Sequence, residues 1–195
     1  GSSNRTQASD TPGVAEGEMP ITPVVPSFLM SQPQQTADKL DVHAAARMGN
    51  LTIIKSVFAF RGVELLDDRD TKAVRSVTHY AALKGQTAIV KYVIEHGCDI
   101  DILDSYKHTP LHLAALEGHT KVCEMLISAG CNTKVVDNQD RTPMHWAAFG
   151  GHVETVHALA KAKLDTDPRD NRKKTPLLLA AEAGHPRVIQ FLNQS

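Results

Sequence analysis

The chain has 195 residues, a formal net charge of -1 and 42% hydrophobic residues, an ordinary composition for a protein that buries a core. A charge so close to zero gives no electrostatic reason to expect binding to DNA or RNA. No apolar run approaches the roughly 18–20 residues of a membrane span, and three cysteines do not suggest a disulfide framework. Ten histidines are an unusually high count and raise the question of a metal or catalytic site.

Residues 1–37 differ in composition from the rest of the chain. They show neither a helical nor a strand period, so we expect an extended or disordered, proline-rich tail. Residues 19–30 are unusually apolar for a linker and follow two acidic residues, Glu16 and Glu18. The tail holds five of the ten prolines: Pro12, Pro20, Pro23, Pro26 and Pro33.

A period of 33 residues runs through the remainder of the chain. The segment TPLH at 109–112 returns as TPMH at 142–145 and as TPLL at 175–178, and a degraded copy, SVTH, stands at 76–79. Each copy continues with a pair of alanines and then a glycine. A fifth copy begins at His43, which lies 36 residues before its neighbour, so about three residues are inserted between 61 and 70.

This pattern resembles the ankyrin-repeat family, which has the same period and a T-P-L-H-x-A signature. The copies at 109 and 142 match T-P-x-H-x-A-A-x-x-G-H in full. The resemblance covers residues 38–195 and implies an all-α solenoid of helix-turn-helix units with β-turn or hairpin tips. We expect five repeats, at approximately 38–70, 71–103, 104–136, 137–169 and 170–195.

The third repeat illustrates why each copy should form two short helices. Thr109 suits a helix N-cap and Pro110 the first helical position, where no N–H is needed. Gly118 can take the positive φ that ends such a helix. A second helix then follows, with an apolar face at Val122, Cys123, Leu126 and Ile127.

Repeat position accounts for seven of the ten histidines. Three others, His96, His108 and His157, have no metal-ligand spacing to thiols or carboxylates, and we find no nucleophile, phosphate-loop or zinc-protease motif. We therefore expect no catalytic residue, cofactor or metal. The resemblance implies that His43, His79, His112 and His145 bond the backbone of the following repeat, while His119, His152 and His185 open second helices.

In ankyrin repeats the tips and the exposed flank of the first helices form a concave surface, here called the groove face, that binds partners. Just after the alanine pair come Leu83, Leu116 and Phe149, flanked by Arg47 and Glu182. Three consecutive large apolar residues predict an exposed hydrophobic stripe that marks an interaction site. The alternative is ordinary packing against the neighbouring turn.

A second row is formed by the residue that stands immediately before the signature threonine of each repeat, and this row is basic. A basic row beside an apolar row suits an extended peptide with acidic and hydrophobic residues; the alternative is a solvated edge. Aromatic residues add anchors, although Trp146 could equally belong to the core. The basic row consists of Arg75, His108, Arg141 and Lys174, and the aromatic anchors are Tyr80, Tyr106 and Trp146.

The tail itself has the composition that this groove face favours. Twelve extended residues reach roughly 40 Å, and tethering raises the effective concentration of a weak motif. We therefore predict that residues around 16–30 dock on the groove face, in cis or as a fused partner sequence. The segment would contribute Glu16, Glu18, Ile21, Val24, Val25, Phe28 and Leu29.

Two functions fit these observations. The first is a non-catalytic adaptor, scaffold or inhibitory subunit, monomeric and cytoplasmic or nuclear, that captures a protein or peptide segment. The second, implied by the resemblance, is the regulatory ankyrin portion of a larger enzyme or membrane protein such as a kinase, glutaminase or palmitoyltransferase. The sequence does not identify the partner.

Overall fold

The computed structural model describes residues 41–62 and 66–194, so the tail 1–37 lies outside the described residues. Within them the chain forms ten α-helices and no strand, arranged as five helix pairs. The helices are α1 (Val42–Met48), α2 (Leu51–Arg61), α3 (Val77–Leu83), α4 (Thr87–Glu95), α5 (Pro110–Leu116), α6 (Thr120–Ser128), α7 (Pro143–Phe149), α8 (Val153–Lys161), α9 (Pro176–Ala183) and α10 (Pro186–Leu192). None of these helices is long and apolar enough to cross a bilayer.

The predicted start and stop residues define the helices. Thr109 is the N-cap of α5, its hydroxyl accepts from the His112 N–H, and Pro110 occupies the first helical position. Gly118 follows the helix with a φ of +75°. The same capping arrangement recurs in α3, where Ser76 replaces threonine. These residues therefore fix the helix ends locally, before any tertiary contact is considered.

The helix pairs stack into two rows. The first helices α1, α3, α5, α7 and α9 contact one another in that order, and the second helices α2, α4, α6, α8 and α10 form the other row. The alanine pairs of the first four repeats are buried almost completely, which lets neighbouring first helices approach closely, whereas Ala181 of the last pair is exposed. The core is continuous from α1 to α10 because each repeat buries its apolar face only against its neighbours.

The tips between helix pairs are hairpin-like turns. In each of the last three repeats an aspartate N–H bonds a carbonyl four residues later, as from Asp104 to His108 at 3.0 Å. Adjacent tips are also linked, since the Asn138 N–H bonds the Tyr106 carbonyl at 3.1 Å and the Asn171 N–H bonds the Gln139 carbonyl at 3.0 Å. The tips thus form a continuous edge beside the first helices.

The first repeat departs from the others where the sequence suggested an insertion. Helix α2 has 11 residues and α4 has 9, so two of the extra residues lengthen the helix. The third lies in the tip, where Asp70 stands five residues before Arg75 rather than four. The N-cap of α1 is Asp41, one position later than the threonine of other repeats, because the matching residue is Leu40, which has no capping oxygen.

Candidate functional site at the groove face

Three of the four signature histidines tie one repeat to the next, whereas His43 Nε2 lies 3.1 Å from the Asp68 carbonyl within its own repeat, contrary to the expectation. The Nε2 atoms of His79, His112 and His145 lie 3.0–3.1 Å from backbone carbonyls in the following tip. Backbone N–H groups donate to the opposite nitrogen, as from Thr109 to His112 Nδ1 at 3.2 Å. Because a carbonyl only accepts and an amide N–H only donates, these contacts select the neutral Nε2–H form of each ring.

Burial keeps these rings neutral. It lowers the pKa of His79 and of His112 to about 4, although the bonded carbonyls act in the opposite direction. The pKa of His145 is lowered for the same reason. In the described part of the chain, no three His, Cys, Asp or Glu side chains converge in a way that could hold a metal ion. The signature histidines therefore have an architectural role.

The second group of histidines ties each repeat to the preceding one, a role that the sequence reasoning missed. His119, His152 and His185 place Nε2 2.9–3.2 Å from the carbonyl of the residue that ends the preceding first helix. Gln86 does the same in the second repeat, where its Nε2 donates to the Arg47 carbonyl at 3.3 Å. The sequence did contain a signal for this role, because Gln86, which can also donate a hydrogen bond, stands at the repeat position that histidine holds in the later repeats.

The predicted basic row lies at the tips, but carboxylates already neutralise much of it. Arg75 Nε donates to Asp104 Oδ2 at 3.1 Å, and Arg141 Nε lies 3.6 Å from Asp170 Oδ2. Lys174 Nζ donates to Glu182 at 2.7 Å. This corrects the expectation of a free positive row, because each cation faces an acidic residue, in two cases from the next repeat.

The tip aspartates keep their charge. Burial acts to raise the pKa of Asp104, but hydrogen bonds from the His108 ring and from backbone N–H groups outweigh it and hold the pKa well below its usual range. The pKa of Asp170 is also lowered, since bonds from the backbone N–H groups of Lys174 and Arg172 outweigh burial. The aspartates therefore cap the turns and also anchor the cations.

The predicted apolar stripe is exposed only at one end. Leu83 and Leu116 are half-buried, and Leu83 packs against the core. Phe149, at the same repeat position, is 44% exposed. The stripe is therefore not continuous as expected, because two of its three members are half-buried and only Phe149 is exposed.

A row of aromatic rings crosses the groove face from the tips to the first helices. Tyr106 at the tip of the third repeat is 58% exposed, and its ring lies 5.7 Å from that of His108. The His108 ring lies 5.3 Å from Trp146 in α7, and Trp146 lies 6.1 Å from Phe149, both in edge-to-face geometry. These four residues, Tyr106, His108, Trp146 and Phe149, are called the aromatic row below.

Asp137 orients the centre of the aromatic row. Its Oδ2 accepts from Trp146 Nε1 at 3.0 Å and lies 3.7 Å from His108 Nε2. Arg141 covers part of Trp146, with Cζ 5.3 Å from the ring centroid. The indole N–H is thus occupied, and the part of the half-buried ring that remains open is apolar.

Tyr80 occupies the position of Trp146 two repeats earlier but offers little surface. Its hydroxyl donates to Asp70 Oδ2, its ring packs edge-on against His43 at 5.8 Å, and Arg47 Cζ lies 4.9 Å above it. Only 8% of the residue is exposed. The predicted residues from Glu16 to Leu29 lie outside the described residues, so the structure does not position them.

Comparison with known proteins agrees with the repeat architecture. The family described as ankyrin repeats (3 copies) matches residues 42–137 and 124–195. The search of curated proteins gave no match to the chain. The matched ranges cover most of the sequence and coincide with the stacked helix pairs and their tips. The chain therefore belongs to the ankyrin-repeat family, whose repeats form protein–protein interaction modules.

Proposed function

We propose that this chain is an adaptor, scaffold or inhibitory subunit that captures an extended peptide segment on its groove face, as a monomer in the cytoplasm or nucleus. The observation that carries the proposal is the aromatic row, whose two end members, Tyr106 and Phe149, are the most exposed of its rings. Large aromatic residues held at an exposed surface are the residue type that dominates binding hot spots.

The charges around the row support a ligand with acidic as well as apolar residues. Lys107 follows Tyr106 in the chain and Lys84 follows Leu83; both lysines are exposed, and neither has a carboxylate partner among the described residues. The paired cations Arg75 and Arg141 contribute less, because their aspartates cancel their charge. Attraction by the two free lysines steers the ligand, while the rings supply the affinity.

A substitution at Phe149 tests this function. Phe149→Glu places a charge at the exposed end of the aromatic row and removes the ring contact with Trp146, whereas Leu116→Glu would replace a residue that is half-buried. We expect proteins captured from cell extract by the wild-type chain to be lost with Phe149→Glu, measured by quantitative mass spectrometry of the bound fraction.

Phe60→Glu provides the matched control. Phe60 is 46% exposed, close to the value for Phe149, but it lies on α2 in the outer row of helices. Partners that depend on the groove face should remain bound to this variant. Equal retention by both variants would place binding elsewhere, and equal loss would show a general effect of removing an exposed phenylalanine.

A further inference from the structure

The tail contains prolines at every third residue between 20 and 26, in the sequence Pro-Ile-Thr-Pro-Val-Val-Pro. A polyproline II helix has three residues per turn, so Pro20, Pro23 and Pro26 would lie along one side of it. Proline-rich segments of this kind dock in grooves lined by aromatic side chains, since the preformed helix loses little entropy on binding.

The aromatic row has the length that such a helix requires. Its three ring-to-ring steps of 5.7, 5.3 and 6.1 Å make it at most about 17 Å long. Six residues of polyproline II rise about 19 Å, and prolines three apart are separated by about 9 Å. Three prolines can therefore contact successive parts of one row.

Charge sets the direction of the segment. Lys107 lies next to Tyr106 at the tip, is exposed, and has no carboxylate partner among the described residues. Glu18 stands two residues before Pro20. If Pro20 contacts Tyr106 and Pro26 contacts Phe149, then Glu18 comes close to the Lys107 ammonium group, whereas the reverse direction leaves Lys107 without a partner.

The connection to the first repeat is long enough. Phe149 and α1 lie in the fourth and first repeats, three steps of about 10 Å apart. Fourteen residues separate Pro26 from Asp41 and can span about 46 Å when extended. The chain can therefore return from the row to α1 without strain.

We propose that residues 18–26 dock in cis as a polyproline II segment across Tyr106, His108, Trp146 and Phe149, with Glu18 at Lys107. This inference rests on the proposed function, since it names an occupant of the same surface. It makes the tail a competitor for external partners, which would have to displace it from the row.

Trp146 gives a direct measurement, because it is the single tryptophan of the chain. We expect acrylamide to quench its fluorescence about twofold more efficiently when Pro20, Pro23 and Pro26 are all replaced by alanine, with a shift of the emission to longer wavelength. The full chain carrying Pro12→Ala and Pro33→Ala is the control and should behave as wild type, because these prolines lie outside the three-residue pattern.

Equal quenching of the wild type and the triple variant would overturn the docking, and protection that increases with protein concentration would overturn docking in cis. A synthetic peptide of residues 16–30 should restore protection to the triple variant but not to the same variant carrying Lys107→Glu. If Phe149→Glu abolishes partner capture while quenching is unchanged by the proline substitutions, this inference fails and the proposed function stands. If partner capture is also unaffected by Phe149→Glu, the proposed function fails.

Discussion

At the scale of single residues, neutral histidines hold the repeats together. Each buried signature ring uses Nδ1 to accept from one repeat and Nε2–H to donate to the next, as His112 does between Thr109 and the Arg141 carbonyl. Protonation of Nδ1 would replace an acceptor by a donor facing an N–H group. This architecture therefore depends on the protonation state of the rings.

This dependence predicts a loss of stability in mild acid. Since the pKa of His79 and of His112 is lowered to about 4, the unfolded chain binds more protons than the folded chain between pH 6.5 and 4. The free energy of unfolding should fall by about 1.4 kcal/mol per pH unit for each such histidine as the pH drops through this range. Urea unfolding at pH 7, 6 and 5 measures the slope.

Two variants test whether the buried histidine rings cause this change in the free energy of unfolding with pH. His112→Gln should lower stability at pH 7 and reduce the pH slope by about one proton, whereas Leu178→Gln, at the same repeat position in α9, changes no titratable group and should leave the slope unchanged. Slopes that match in the two variants would contradict the assignment. The tip aspartates, whose pKa values are lowered, lose their contribution to the free energy of unfolding only at lower pH, as pH falls below about 4.

A second prediction at this scale concerns Val74, which adopts a φ of +57°. This left-handed conformation is unfavourable for a β-branched residue and costs on the order of 1–2 kcal/mol. Val74→Gly should therefore raise the free energy of unfolding by about 1 kcal/mol in chemical denaturation. Val136→Gly is the control, since Val136 is not among the described residues with positive φ, and a similar gain there would contradict the explanation.

At the scale of the helix pair, the glycine after the first helix of each of the first four repeats meets a side chain from the next repeat. A Cβ added to Gly118 would lie 2.4 Å from His152 Nδ1, and the residue has a φ of +75°. Gly97, after α4, has a φ of +71° but no atom within 4 Å of an added Cβ. A side chain at Gly97 would therefore cause backbone strain alone, whereas a side chain at Gly118 would cause backbone strain and also disturb the packing between repeats.

We predict that Gly118→Ala costs more than Gly97→Ala. The second variant should lose about 1 kcal/mol from the left-handed backbone alone. The first should lose about 2–3 kcal/mol, because the displaced His152 ring also gives up its bond to the Leu116 carbonyl. Thermal or urea unfolding measures both, and equal losses would show that the contact between repeats contributes little.

At the scale of the whole molecule, stability accumulates through neighbouring interfaces. Helix α5 buries six of its seven residues, whereas α10 buries only Val188 among its own. A solenoid of this kind opens most easily at repeats that have one neighbour. The aromatic row, built from the third and fourth repeats, therefore lies in the part of the molecule with the most support on both sides.

Hydrogen exchange should reveal this gradient. Amides of α5 and α7 should exchange most slowly, and those of α1, α9 and α10 should exchange earlier under native conditions. Mass spectrometry of peptides from each repeat would measure the order. Uniform protection across all five repeats would instead indicate a single cooperative unit.

Much of the fold could be predicted from the sequence because its determinants are local. Capping by Thr109, the proline that follows it, and a positive φ at Gly118 act within one helix, so a 33-residue period is enough to locate them. The exception was α1, where Asp41 caps the helix one position later.

The sequence by itself determined the repeat, its helices, the structural use of the signature histidines and the candidate groove face. Tertiary structure alone decided which residues on that face remain available. Arg75 and Asp104 lie 29 positions apart, and only stacking brings them to 3.1 Å, which turns a predicted free cation into a neutral pair. Leu116 and Phe149 share a repeat position, yet only Phe149 is exposed. Burial and pairing depend on the neighbouring repeats, and residue type and spacing do not determine them.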